Sequence, residues 1–145
     1  MTYYAPTTAT CLGRFATIVA KGGGLTRGTP RGDVIVGSQA PDRILSGAGN
    51  DRVCSRGGDD VVKTGNGADR VSAGPGDDRV WTGKGADTVF AGGGRDRVHT
   101  GPGNDVVWVA GGGRDRADCG AGVDRVHRDR HDRVRHCERD LRRRS

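Results

Sequence analysis

Valine recurs every nine residues through the middle of this chain, at Val53, Val62, Val71, Val80, Val89, Val98 and Val107. Each follows an aspartate by two positions: Asp51, Asp60, Asp69, Asp78, Asp87, Asp96 and Asp105. An apolar residue between two outward neighbours is the alternation of a short strand with one buried face. A nine-residue beat is too short for a helical repeat and fits a tight turn plus a strand of roughly three to four residues. The residues leading up to each aspartate supply the turn. Glycine stands there in pairs, at Gly47 and Gly49, Gly65 and Gly67, Gly74 and Gly76, Gly83 and Gly85, Gly92 and Gly94, and Gly101 and Gly103. Glycine reaches positive φ and permits close backbone approach, as such turns require.

The beat has a beginning and an end. It starts weakly at Asp33–Ile35 and Asp42–Ile44, which keep the acid and the aliphatic but lack the paired glycines, and these two aspartates are expected to be structural. One extra residue enters near Val109 and Ala110, after which Gly111, Gly113 and Asp115, then Gly120, Gly122 and Asp124, resume the motif. Beyond Val126 the glycines vanish while Asp132 and Val134 keep the phase, as a cap would. Ahead of the beat, the apolar run Phe15–Ala20 reads as a short strand before the flexible Gly22–Gly24. The expected division is an irregular N-terminal cap over 1–27, a repeat domain over 28–127, and a C-terminal cap with a basic tail over 128–145.

Composition adds a constraint. Of 145 residues only 32% are hydrophobic and 4% aromatic, and 27 are glycine. Such a chain cannot build an ordinary core and would by itself be disordered. Bound metal and disulfides are the two remaining sources of folding free energy. The net charge of +6 lies mostly in residues 125–145, where nine arginines face Asp129, Asp132, Glu138 and Asp140, so the rest of the chain is close to neutral. Nucleic acid is therefore not expected as a partner. No stretch reaches transmembrane length, and residues 1–6 lack the charged start and apolar run of a signal peptide. Four cysteines in a small glycine-rich chain still argue for an oxidising compartment, so the protein is expected to be secreted or at a cell surface, with its leader removed.

The segments SGAGNDRVC, SRGGDDVVK, TGNGADRVS, AGPGDDRVW, TGKGADTVF, AGGGRDRVH and TGPGNDVVW resemble the calcium-binding nonapeptide of the RTX, or hemolysin-type, repeat family. The resemblance implies an all-β fold, a right-handed parallel β-roll with two repeats per coil turn, and calcium as the bound ion. Calcium takes six to eight oxygens from carboxylates and carbonyls, and the Gly-x-Gly-x-Asp turn offers both. One turn has too few, so each ion is expected between turns stacked one coil apart. The carboxylate pairs are then Asp51 with Asp69, Asp60 with Asp78, Asp69 with Asp87, Asp78 with Asp96, Asp87 with Asp105, Asp96 with Asp115 and Asp105 with Asp124, about seven sites in two rows. Arg56 replaces the first motif glycine before Asp60, which is expected to weaken that site. Arg95 and Arg114, next to ligand aspartates, should lower affinity, and Asp59 and Asp77 should raise it.

Cys119 and Cys137 are one coil turn apart and could bond across adjacent rungs, leaving Cys11 for Cys54. The segment from Asp118 to Glu138 also resembles the C-terminal cap of small secreted RTX-like proteins. The rival is a zinc site of Cys119, Cys137, His127, His131 and His136, whose spacings match no standard finger. Outward strand positions form two columns, Lys63–Trp81–His99 and Ser72–Phe90–Trp108. Aromatic columns could serve an adhesion or glycan-binding module, with carbohydrate or a protein surface as partner, or could be cross-rung packing. Thr64, Thr82 and Thr100 are expected to stack facing inward. No nucleophile–base–acid set is visible, and no enzyme is expected.

Overall fold

The computed structural model describes the backbone of residues 2–3 and 9–142 and the side chains of 9–138. The described residues contain strands and turns and no helix, hence none long and apolar enough to cross a membrane. Two sheets form the body, one of nine strands and one of seven, and a small hairpin pairs Thr10–Cys11 with Arg14–Phe15. Successive strands alternate between the sheets, so the chain winds as a flattened coil, a β-solenoid. The nine-stranded sheet carries Ile18–Ala20, Val34–Val36, Arg52–Cys54, Arg70–Ser72, Thr88–Phe90, Val106–Trp108, Arg125–Arg128 and Arg139–Arg142 in parallel, with Thr2–Tyr3 antiparallel at its edge. The seven-stranded sheet carries Gly24–Arg27, Asp42–Leu45, Val61–Asn66, Arg79–Lys84, Arg97–His99, Arg116–Asp118 and Arg133–Arg135, all parallel.

Register follows the valines. Val53, Val71, Val89 and Val107 stack in one sheet and Val62, Val80 and Val98 in the other. They are buried and, with Ile18, Ile35, Ile44, Val109, Ala117 and Val126, form one thin core between the sheets. The extra residue near Ala110 makes the next step nineteen: Arg97 pairs with Arg116 and Val107 with Val126. The step from Asp115 to Asp132 is then seventeen, which restores the phase.

Parallel pairing begins at Ile18–Ala20 and Gly24–Arg27, inside the stretch 1–27 expected to be an irregular cap. Apolar alternation alone is enough to dock a rung onto Val34–Val36 and Asp42–Leu45. At the other end pairing continues to Arg139–Arg142. Both ends are tied. Cys11 bonds Cys54, with Cα atoms 5.6 Å apart, and Cys119 bonds Cys137 at 5.2 Å. This excludes the zinc alternative, because disulfide sulfurs are no longer thiolates. Thr64, Thr82 and Thr100 face inward as expected, each hydroxyl donating to the carbonyl of the residue one rung on, at Thr82, Thr100 and Cys119.

Candidate metal centres in the turns

Each turn ends in an aspartate whose side chain folds back into the coil. The backbone N–H of Asp51 donates to Oδ1 of Asp69 at 2.9 Å, that of Asp69 to Asp87, that of Asp87 to Asp105, and that of Asp105 to Asp124. On the opposite edge the same bond links Asp60 to Asp78, Asp78 to Asp96 and Asp96 to Asp115. The pairs expected from sequence are thus brought together, and in two rows. One row precedes the strands of the nine-stranded sheet and the other those of the seven-stranded sheet.

Oδ1 is spoken for. Oδ2 is not: in Asp51, Asp60, Asp69, Asp78, Asp87, Asp96, Asp105, Asp115 and Asp124 it is buried without a hydrogen-bond partner. Buried polar atoms are nearly always paired, and an unpaired anionic oxygen is the costliest exception. Nine in register need a common explanation. The aspartates outside the glycine-rich turns supply the control. Thr29 donates its N–H to Asp33 Oδ2 at 2.6 Å and adds its hydroxyl; Ser38 does the same for Asp42. In the cap, Asp132 Oδ2 accepts the N–H of Asp129. Where Ser or Thr stands four residues before the aspartate, protein satisfies the carboxylate; where glycine stands there, nothing does.

The glycines give the turns their shape. Gly67, Gly85 and Gly103 have φ of 139°, 138° and 154°, and a Cβ on any of them would collide with the carbonyl oxygen of the glycine one coil earlier, at Gly49, Gly67 and Gly85. Carbonyl oxygens therefore crowd the space between stacked turns. Gly47, Gly65, Gly74, Gly76, Gly83, Gly92, Gly94, Gly101, Gly111, Gly120 and Gly122 also hold positive φ, as does Gly49, while Gly113 stands outside this set. Arg56, in a glycine position, adopts φ 74° and keeps the shape of its neighbours, so Asp60 retains its orphaned Oδ2. The site expected to be weak is geometrically complete, at the cost of a non-glycine residue in the left-handed region.

Burial pushes these carboxyls upward, to about 7 for Asp78 and Asp96 and about 6 for Asp60, Asp69, Asp105 and Asp115; Asp51 and Asp87 are also raised. The accepted N–H partly offsets this, and so does the nearness of a hydroxyl five residues before the acid, Ser46, Ser55, Thr64, Thr82 or Thr100, although each of these donates its hydrogen bond to a carbonyl one rung on. Asp78, Asp96 and Asp115 have Ala73, Ala91 and Ala110 there instead; the first two reach about 7 and Asp115 about 6. Neighbouring carboxylates raise all six of the numbered values further. Buried, crowded carboxylates beside carbonyls fit a hard divalent cation, which supplies the charge and coordination that the protein lacks.

The model of the RTX calcium-binding nonapeptide repeat matches in four copies, over 27–62, 56–89, 63–98 and 72–107. Together these span more than half of the chain. The chain belongs to the RTX calcium-binding nonapeptide repeat family. Neither curated proteins nor solved structures gave a match. RTX repeats bind calcium, and as a group they are structural, calcium-binding elements instead of catalysts.

Two features of these RTX turns were not anticipated. The first is the self-satisfied Thr29 and Ser38 turns; the signal in sequence is a hydroxyl residue four before the acid. The second concerns Asp59 and Asp77, expected to add charge to the sites. Each also accepts the backbone N–H of the equivalent residue one coil on, Asp77 and Arg95 at 2.8 Å, while their charges, after burial, help to raise Asp60, Asp78, Asp96 and Asp115.

Proposed function

We propose that this protein is a secreted β-roll whose folding is driven by calcium, with about seven ions held between stacked turns. The observation that carries the reading is the set of nine buried, unpartnered Oδ2 atoms, absent from the two turns that Thr29 and Ser38 close. Asp51, Asp60, Asp69, Asp78, Asp87, Asp96, Asp105, Asp115 and Asp124 would hold the ions, helped by carbonyls of the paired glycines. Calcium supplies positive charge to carboxylates that otherwise repel. The residues before Gly47 and after Asp124, with their disulfides, act as metal-free ends of the roll. The protein has no catalytic role.

An aromatic adhesion surface is the weaker reading. The Phe90 and Trp108 rings stack 4.7 Å apart, and Trp108 stacks on His127 at 4.5 Å, which supports packing between rungs.

Calcium titration of Asp87→Ala and Asp42→Ala tests the proposal. Asp87 lies between stacked turns on both sides and would serve two ions. Its replacement should lower calcium stoichiometry by one to two and reduce thermal stability, while Asp42→Ala leaves stoichiometry unchanged. Equal losses of bound calcium in the two variants would sink the assignment.

A further inference from the structure

The near-neutral charge of the repeat region hides a separation. The aspartates are turned in and buried, while the arginines that follow many of them face outward. On the seven-stranded sheet four of these arginines fall into register: Arg79 pairs with Arg97, Arg97 with Arg116, and Arg116 with Arg133. That is one guanidinium per rung, roughly 4.8 Å apart. All four are exposed, and among the described residues none has a side-chain hydrogen bond or ion pair. The neighbouring column holds a single acid, Asp118, already engaged by His136 at 2.8 Å. Arg95 and Arg114 extend the same bank along a groove of about 950 Å³, in which six arginines face one exposed acid, Asp77, and the buried Asp78, Asp96 and Asp115 of the metal turns. The other sheet has no such row, since Thr88 and Val106 separate Arg70 from Arg125.

Like charges directly opposite on neighbouring strands repel. The row is therefore a cost to the free protein, which a ligand with regularly spaced anions would offset. The geometry points to this face as a binding site for an anionic polysaccharide, a chain bearing carboxylate or sulfate on its pyranose rings and lying along the stack of rungs. A guanidinium engages such an oxyanion with two parallel N–H bonds. The row places one arginine on each successive rung, and its step is close to the advance of one pyranose along an extended chain. Trp81, 36% exposed, stands in the next column beside Arg79; Lys63 Nζ lies over its ring at 5.4 Å from the centroid, and a sugar that displaces this exposed ammonium would stack its apolar face there.

Nucleic acid fits this face less well. A flat sheet places no element in the major groove of a duplex, and a single strand needs successive aromatic platforms. Among the described residues, Trp81 and the His99 imidazole are the ring side chains in the outward columns of this sheet, a single pair and not a run along the rungs, because Phe90 and Trp108 lie on the other.

The test uses the full chain in saturating calcium, titrated against hyaluronan for carboxylate, dextran sulfate for sulfate, neutral dextran, and a poly(dT) strand. Replacing Arg97, Arg116 and Arg133 together by Gln should weaken binding to the preferred anionic glycan by about tenfold or more. Replacing Arg142, Arg143 and Arg144 by Gln removes the same charge and should weaken it by less than about threefold. Arg116→Glu alone, a smaller disturbance in mid-row, should act in the direction of the ladder variant, and Trp81→Ala should weaken binding of the preferred anionic glycan. Whichever of hyaluronan and dextran sulfate binds more tightly identifies the anion. Equal losses from the two triple variants would reduce the effect to bulk charge and overturn the site. Failure to bind either anionic glycan, or tighter binding of poly(dT), would overturn it too.

Discussion

Removing calcium should make this protein acid-loving. An aspartate whose carboxyl is held down in the fold adds stability as pH rises; here the sign is reversed. The six turn carboxyls with values near 6 or 7 bind protons more tightly folded than unfolded, where the ordinary value is 3.8. Their penalty is absent below about pH 4, grows through the interval up to about 7, and is complete above it. At about 1.4 kcal/mol per pH unit, each ionised carboxylate costs the metal-free fold about 3–4 kcal/mol. Coupled neighbours do not add in full, so the set costs on the order of 10 kcal/mol, comparable with the whole stability of an ordinary domain. Calcium-stripped protein should thus lack native strand signal at pH 8 and gain it on acidification through about pH 6. Circular dichroism from pH 8 to 4.5 follows this, in metal-depleted buffer because chelators themselves lose calcium in acid. About 0.3 M salt damps the repulsion among 24 lysines and arginines that acid uncovers. A strand signal that stays constant across this range, or strengthens toward pH 8, would refute the idea that buried carboxylate charge is what calcium relieves.

Three further outcomes are expected. Ser38→Ala removes the hydroxyl from Asp42, and thermal melting of the calcium-loaded protein should show a loss of about 1–2 kcal/mol with calcium stoichiometry unchanged. Gly85→Ala drives a Cβ against the Gly67 carbonyl at a φ of 138°, and should cost more than about 3 kcal/mol and at least one bound ion by isothermal titration. Reduction of Cys11–Cys54, which closes 43 residues of chain, should cost about 4 kcal/mol and that of Cys119–Cys137 about 3 kcal/mol, read as shifts in urea midpoint.

Most of the fold was legible because the period is short and carries two residue types in fixed phase. An error of one position would put Val53, Val62 and their successors on the solvent face, so pattern and register stand or fall together. The partners of each site aspartate followed from that register, down to the slip near Ala110. The first rungs were less legible: Ile18–Ala20 and Gly24–Arg27 dock without the glycine turn that marks the others. Two further features needed coordinates. That Thr29 and Ser38 close their own turns depends on which way a carboxylate rotates. The arginine row escaped a count of net charge, because Asp78 and Arg79 cancel in a sum while lying on opposite sides of a strand.

The aspartate relay has a direction. The amide of Asp33 waits for the carboxylate of Asp51, Asp51 for Asp69, and so on to Asp124, while the other row runs from Asp42 to Asp132. Every link is supplied by residues made later in synthesis. A nascent chain emerging N-terminus first is therefore always one coil short of completion, and its newest rung is the one left open. Damage inherits the same polarity: losing the Asp87 carboxylate strands the amide of Asp69 behind it, whereas the bond from Asp87 forward to Asp105 survives. Read vectorially, the roll is closed from its tail toward its head.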